Sequence, residues 1–225
     1  MSPAGPAMRI LAFDCALEAR SAALFEDERL VAGALEQGAR QHAERLVAML
    51  AELMAEAGWS WAGLDLLCLT RGPGSFTGLR IGLAAARGLA LARDLPILGL
   101  GTLEALAAGA EAGSALLTLV DARRGQLYAQ AFSASGAALG EPATLTPEHL
   151  TSILPPPPVG LIGSGTALAL PHLTASGVYA VAAPPWPEAA RFGRLAFRRA
   201  PEARLGAPPE PLYLRPPGAQ PKAPK

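Results

Sequence analysis

Residues 64–70 (LDLLCLT) and the segment after them, residues 71–78 (RGPGSFTG), decide the fold. The first stretch predicts a buried strand because it is short and almost wholly apolar. The second predicts a tight turn because glycines and a proline interrupt it. The small residues of 76–92 then predict a helix, and a strand joined to a helix through a short turn is typical of α/β proteins.

A second helix and several further strands surround this unit. In residues 40–57, Leu46, Met49, Leu50 and Leu53 recur at intervals of three and four residues, which is the period of an amphipathic helix. Short apolar runs predict strands at 8–13, 21–25, 30–35 and 96–100, and a helix follows at 102–110. The first half of the chain therefore reads as three strands, a helix, a strand, a helix, a strand and a helix.

The same order returns in weaker form in the second half. Strands are predicted at 115–120, 127–132, 137–145 and 159–162, and helices at 147–153 and 188–199. Two copies of a βββαβα unit predict a tandem ribonuclease H-like fold, the two-lobe α/β architecture of the actin-like ATPases (ASKHA), with a degraded second lobe. We assign residues 1–108 to the N-terminal lobe. Residues 109–225 form the C-terminal lobe, which ends in a flexible tail rich in proline and lysine.

Composition excludes several classes of protein. Hydrophobic residues make up 51% of the 225, which is enough for a core and incompatible with a largely disordered chain. The 19 basic and 19 acidic residues balance, whereas a freestanding nucleic-acid-binding domain is expected to be basic. Two widely separated cysteines, Cys15 and Cys68, predict neither a disulfide framework nor a zinc knuckle. The lack of a signal-peptide pattern and of a long apolar run predicts a cytoplasmic protein without a membrane span.

No residues in the sequence indicate a hydrolytic site. His42, His149 and His172 stand at no spacing typical of zinc hydrolases. No pair of a nucleophile and a base is visible either. We therefore predict no metal site and no catalytic residue.

Four residues are candidates for contacts with a nucleotide phosphate: Asp14, Gly72, Gly74 and Ser75. Asp14 closes the first strand, where an aspartate of actin-like ATPases helps to hold a phosphate-bound metal. The other three precede a helix whose first N–H groups suit an anion. The alternative is structural, because aspartate often forms a turn and Ser75 or Thr77 can cap the helix. The segment lacks the lysine of a Walker A loop, so we expect vestigial phosphate loops at most.

The helix at 76–92 has leucine and isoleucine on several of its sides. A helix that is hydrophobic all round is buried on all sides. Either the second lobe or a protein partner could cover it, and the residues alone leave both possibilities open.

Five segments carry a resemblance to a known family: residues 10–14, 42–46, 72–82, 121–125 and 211–215. Together they resemble the TsaB family, also called YeaZ, and the run GPGSFTGLRIG at 72–82 is the most specific. The resemblance implies a non-catalytic member of the actin-like superfamily. Such a subunit pairs with a TsaD-like paralogue and works with a TsaE-like ATPase. The paralogue transfers a threonylcarbamoyl group to the adenosine 3′ of the anticodon in tRNAs that read ANN codons.

The resemblance also implies which surface binds partners. The helices at 40–57 and 76–92 would bind the TsaD-like paralogue, and the same surface would form a homodimer when the chain is alone. We expect the interface at six residues, Leu46, Met49, Leu50, Leu53, Leu79 and Leu83. The resemblance implies no cofactor of the chain's own, allows ATP or ADP at the junction with the partner, and places tRNA contact only in the complex.

Two departures bear on activity. The catalytic paralogue carries an H-x-x-x-H metal pair after the strand at 96–100, and by spacing those positions fall here on Thr102 and Leu106, which are poor metal ligands. The first strand ends in Asp14-Cys15-Ala16, where the family usually has Asp-Thr-Ser. Both departures favour a scaffold. The alternative is a small nucleotide-dependent kinase or ATPase that uses Asp14 and the 72–78 loop, and a metallopeptidase is a third hypothesis.

Overall fold

The first lobe is a five-stranded sheet with helices on its faces. The computed structural model describes residues 6–38, 42–110, 113–203, 205 and 209–215. The elements of this lobe are β1 (Arg9–Asp14), β2 (Ala19–Glu26), β3 (Arg29–Gln37), α1 (His42–Glu56), β4 (Leu66–Thr70), α2 (Phe76–Arg93), β5 (Ile97–Leu100) and α3 (Thr102–Gly109). The strand order is β3-β2-β1-β4-β5, with β1, β2 and β3 antiparallel and with β4 and β5 parallel to β1.

The second lobe repeats this sheet. Its elements are β6 (Ala115–Asp121), β7 (Leu127–Phe132), β8 (Ala143–Leu145), β9 (Val159–Ile162), α4 (Thr166–Ala169) and β10 (Val178–Ala180), and α5 (Ala189–Phe192) and α6 (Arg194–Arg198) follow. The order β8-β7-β6-β9-β10 matches that of the first sheet strand for strand, and so do the strand directions. The predicted tandem ribonuclease H-like fold is therefore confirmed.

The second lobe keeps all five strands, but its helices are much shorter than those of the first lobe. A 3₁₀ segment, Pro147–Ser152, stands where the first lobe has α1, and the four-residue α4 stands where it has α2. Four consecutive prolines at 155–158 follow the 3₁₀ segment, and proline lacks the N–H that a continuing helix requires. The helix predicted at 188–199 is two short helices, α5 and α6.

The first sheet has a core on each face. Leu11 and Phe13 of β1 point to one face, under α1 and α2. Ile10 and Ala12 point to the other face, where Phe192 of α5 and neighbouring residues of α6 cover them. The segment 189–203 therefore returns to the first sheet, and the assignment of everything after residue 109 to the second lobe is wrong for it.

The two lobes meet through α3. Leu103 and Leu106 of this helix pack against Leu116, Val120 and Phe132 of the second sheet in one buried cluster. Among the described residues, no helix is long and apolar enough to cross a membrane. The predicted flexible tail from residue 216 lies outside the described residues.

Candidate partner surface and interlobe cleft

A cleft of about 510 Å³ lies between the two sheets. The first lobe supplies Leu17, Glu18, Gly74 and Ser75, the second supplies 120–123, Tyr128 and Ser164, and the connection between β10 and α5 supplies Pro185 and Trp186. Two of the four predicted phosphate contacts, Gly74 and Ser75, line this cleft. The other two, Asp14 and Gly72, do not.

Asp14 is a buried structural carboxyl. Its side chain is 1% exposed, and one oxygen accepts hydrogen bonds from the Thr70 hydroxyl and from the backbone N–H of Ala16. The other oxygen has no hydrogen-bond partner among the residues that the structure describes. Burial raises the pKa of Asp14 to about 7, and the two hydrogen bonds offset only part of that rise. The turn-forming alternative therefore describes Asp14 better than phosphate contact does.

The loop before α2 is held against the end of β1. The N–H of Ser75 donates to the carbonyl oxygen of Ala16 at 2.7 Å, and the Ser75 hydroxyl accepts from the N–H of Gly78 at 3.3 Å. A Cβ at Gly78 would lie 2.1 Å from the carbonyl oxygen of Cys15, and one at Gly74 would lie 2.6 Å from that of Ala16. Ser75 is therefore the N-cap, as the structural alternative predicted, and its own N–H is not available to a phosphate.

The residues present do not fit a nucleotide phosphate site on this chain alone. A Cβ at Gly72 would lie 2.4 Å from the carbonyl oxygen of Leu212, so this glycine accommodates backbone and not a ligand. Cys15 and Ala16 supply no hydroxyl. No group of three or more potential metal ligands occurs in the described part of the chain.

The cleft mouth is crossed by one exposed ion pair. Arg123, in the turn after β6, pairs with Glu18 of the first lobe, and both side chains are about two-thirds exposed, at 71% and 67%. Arg123 and Arg124 both adopt positive φ, at 62° and 57°. Glu18 and Trp186 were not predicted as site residues, because neither belongs to a recognisable motif.

All six predicted interface residues are buried within the chain itself. Their exposures are 0% for Leu46, 1% for Met49, 1% for Leu50, 2% for Leu53, 1% for Leu79 and 3% for Leu83. The periodic apolar stripe of each helix covers the first sheet. The prediction that these six residues form an interface is therefore wrong, because their side chains face inward. Pairing through the two helices stays a prediction.

The outward faces of α1 and α2 carry small and apolar side chains. We call this set the α1/α2 face: Val47, Ala51 and Ala55 on α1, and Ala84, Gly88 and Leu91 on α2. The two helices contact each other in the layer that covers the first sheet. Val47 is 58% exposed and Leu91 is 87% exposed, and a Cβ added to Gly88 would meet no atom of the described residues within 4 Å. Helix α2 is thus open on this side and not buried all round.

The two positions that spacing predicted for the paralogue's metal pair, Thr102 and Leu106, hold core residues. Thr102 begins α3 and is 0% exposed, and Leu106 is 2% exposed. Leu106 lies in the cluster that joins the lobes. The structure therefore uses this helix to connect the two sheets.

A family model matches more than half of the chain. It is described as TsaD, tRNA N6-adenosine threonylcarbamoyltransferase, and it matches residues 36–168. A protein of Escherichia coli named tRNA threonylcarbamoyladenosine biosynthesis protein TsaB is 42% identical over 124 residues, which are 54% of this chain and 53% of that protein. The protein of the same name in Haemophilus influenzae is 36% identical over 125 residues, 54% of this chain and 52% of its own.

The chain spans about half the length of these curated relatives. Among solved structures, YeaZ from Pseudomonas aeruginosa superposes with a TM-score of 0.79 at 29% identity. That superposition covers 92% of this chain and 100% of the other. The likeness therefore extends over both lobes, beyond the region matched by sequence.

Proposed function

Because the chain belongs to the TsaD-like family, in its TsaB (YeaZ) branch, we propose that it is a non-catalytic subunit that scaffolds and activates a TsaD-like paralogue. The reaction served is threonylcarbamoylation of the adenosine 3′ of the anticodon in tRNAs that read ANN codons. A TsaE-like ATPase completes the assembly, and tRNA contacts this subunit only through the complex. The proposed location is the cytoplasm.

The observation that carries the proposal is the α1/α2 face. Leaving a large apolar side chain in water instead of burying it costs about 1.5–3 kcal/mol, and Leu91 is 87% exposed. Small residues at Ala84 and Gly88 let a facing helix approach closely. A partner surface that covers this face would therefore gain both apolar burial and close packing.

The charges beside the face favour a specific partner orientation. Helix α2 carries Arg80, Arg87 and Arg93 and no acidic residue, whereas the exposed side of α1 carries Glu56 and a Glu52 that is paired with Arg45 of the same helix. A partner with acidic residues opposite α2 and basic residues opposite α1 would bind in one register. A second copy of this chain carries the same charges. A two-fold axis that sets α1 of one copy against α2 of the other would place acidic residues opposite basic ones, which supports a homodimer when the paralogue is absent.

Two features support a subunit without catalysis or cofactor of its own. Thr102 and Leu106 occupy the positions of the paralogue's metal pair and are buried. The N–H of Ser75 is already bonded to Ala16, so this donor of the loop before α2 is not available to a phosphate. We propose that any ATP or ADP binds at the junction with the TsaD-like partner, where that partner supplies the phosphate contacts.

The test is a reconstituted transfer reaction. Purified TsaD-like and TsaE-like proteins of the same organism are given tRNA, ATP and threonylcarbamoyl-adenylate, with and without this chain, and modified adenosine is measured by mass spectrometry of nucleosides. The expected result is a large gain in rate on adding the chain and no product from the chain alone. An unchanged rate would refute the scaffold. ATP turnover by the isolated chain that is lost in Asp14→Ala would instead favour the kinase or ATPase alternative.

A further inference from the structure

The segment 209–215 lies along the first lobe at one end. The N–H of Leu212 donates to the carbonyl oxygen of Arg71 at 2.7 Å, just beyond β4. Gly72 and Gly99 make room for the segment, because a Cβ at Gly72 would lie 2.4 Å from the Leu212 carbonyl oxygen, and a Cβ at Gly99 would lie 2.5 Å from the Cβ of Pro209. The segment therefore fits into a groove that only glycine leaves open.

The middle of the segment contacts the start of α2. The ring of Tyr213 lies 5.4 Å from that of Phe76, centroid to centroid. The Nε of Arg80 donates to the Tyr213 hydroxyl at 3.4 Å, and the Arg80 guanidinium stacks over Phe76 at 3.7 Å. These contacts tie the segment to α2 as well as to the sheet.

The last residue of the segment reaches the second lobe. Nη1 of Arg215 donates to the carbonyl oxygen of Ala122 at 2.8 Å, and the guanidinium lies 5.9 Å from the centre of the Tyr128 ring. Ala122 and Tyr128 line the second-lobe wall of the cleft. Seven residues thus join α2 of one lobe to the cleft wall of the other.

From these contacts we infer that residues 209–215 form a strap that limits how far the two lobes separate, with Arg215 as its anchor on the second lobe. Two lobes of one chain are expected to move relative to one another unless their interface is large and hydrophobic. Here the apolar contact through α3 would allow rotation, and the strap opposes it at the cleft. The other tie across the cleft, the Glu18–Arg123 pair, is too exposed to hold the lobes by itself. The strap does not depend on the proposed function.

The test measures the distance between the lobes in solution. Spin labels are placed at Leu30→Cys on β3 and at Leu139→Cys on the second lobe, which are 42% and 55% exposed, and pulsed electron resonance gives the distance distribution. The native cysteines, Cys15 and Cys68, are buried and stay unlabelled. In the labelled protein with Arg215 intact, we expect one narrow distribution. In Arg215→Ala we expect a broader distribution with a longer mean distance.

The matched control is Arg124→Ala, which removes an arginine of the adjacent turn and should leave the distribution unchanged. Arg215→Lys keeps a donor for Ala122 but loses the planar group over Tyr128, so an intermediate distribution is expected. If folded Arg215→Ala gives the original narrow distribution, the strap is refuted. If that variant does not fold, the same distance is measured in Gly99→Ala, because the new Cβ displaces Pro209 at the first residue of the strap. An unchanged distribution in Gly99→Ala would then overturn the inference.

Discussion

The two lobes share their turns as well as their strand order. Asp14 ends β1 and accepts from the N–H two residues on, at 3.2 Å, and Asp121 ends β6 and does the same at 2.7 Å. After the fourth strand of each lobe, a loop N–H returns to the chain near the end of the first strand: Ser75 to Ala16 at 2.7 Å, and Gly165 to Leu119 at 3.0 Å. The duplicated unit is therefore visible in hydrogen bonds that hold the loops, and not only in the sheets.

The lobes differ in what covers the sheets. The first has helices of 15 and 18 residues, whereas the second has a six-residue 3₁₀ segment and a four-residue helix in the same places. The aspartates differ as well, because Asp14 is buried and the Asp121 side chain is 26% exposed. The comparison teaches that strands and turns preserve the fold, while the long helices of one lobe provide the α1/α2 face.

The largest expected effect concerns Asp14, whose pKa is about 7 in the fold against an ordinary 3.8. Between about pH 4 and pH 7 the unfolded chain has lost this proton while the folded chain keeps it. The free energy of unfolding should therefore fall as pH rises, by about 1.4 kcal/mol per pH unit and about 4 kcal/mol across the window. Asp14→Asn should remove this fall. Urea denaturation of both proteins at several pH values measures it.

Asp121→Asn is the matched control in the second lobe. In this variant the free energy of unfolding should still fall as pH rises, because Asp14 is unchanged. If the free energy of unfolding of Asp14→Asn and that of the parent protein fell in parallel from pH 4 to pH 7, the buried carboxyl would not be the source of the pH dependence.

The next prediction concerns one buried leucine in the core of each lobe. Leu50 of α1 is 1% exposed and Leu150 of the 3₁₀ segment is 0% exposed. Replacing either by alanine should lower the free energy of unfolding by on the order of 3 kcal/mol. Because α3 packs against the second sheet and the chain after β10 returns to the first sheet, each variant should unfold in one transition, followed by circular dichroism in urea. A separate early transition in Leu150→Ala would show that the second lobe is an independent unit.

The smallest effect concerns the ion pair at the cleft mouth. Glu18→Gln removes the charge opposite Arg123, and because both side chains are mostly exposed, the loss of stability should be below about 1 kcal/mol. The difference should disappear at high salt. A loss of several kcal/mol that persists in high salt would mean that this pair, and not the strap, joins the lobes.

The sequence was sufficient for most strands of the two sheets because these strands are short apolar runs. It missed β10, since its three residues are largely exposed and show no apolar pattern. The return of 189–203 to the first sheet is a long-range contact, which no local pattern encodes. The prediction of the six interface residues was wrong for a different reason. Periodicity finds the large apolar stripe that covers the sheet, whereas the α1/α2 face consists mostly of alanine and glycine, which periodicity treats as neutral.

The most direct test of the scaffold account is light scattering on a sizing column with this chain and the TsaD-like protein of the same organism. Three forms are compared: the unaltered chain, Leu91→Glu on the α1/α2 face, and Leu139→Glu on an exposed site of the second lobe. The account predicts a mixed complex for the unaltered chain and for Leu139→Glu, and separate elution for Leu91→Glu with its fold intact. A mixed complex of equal strength with Leu91→Glu, or none with the unaltered chain, would contradict it.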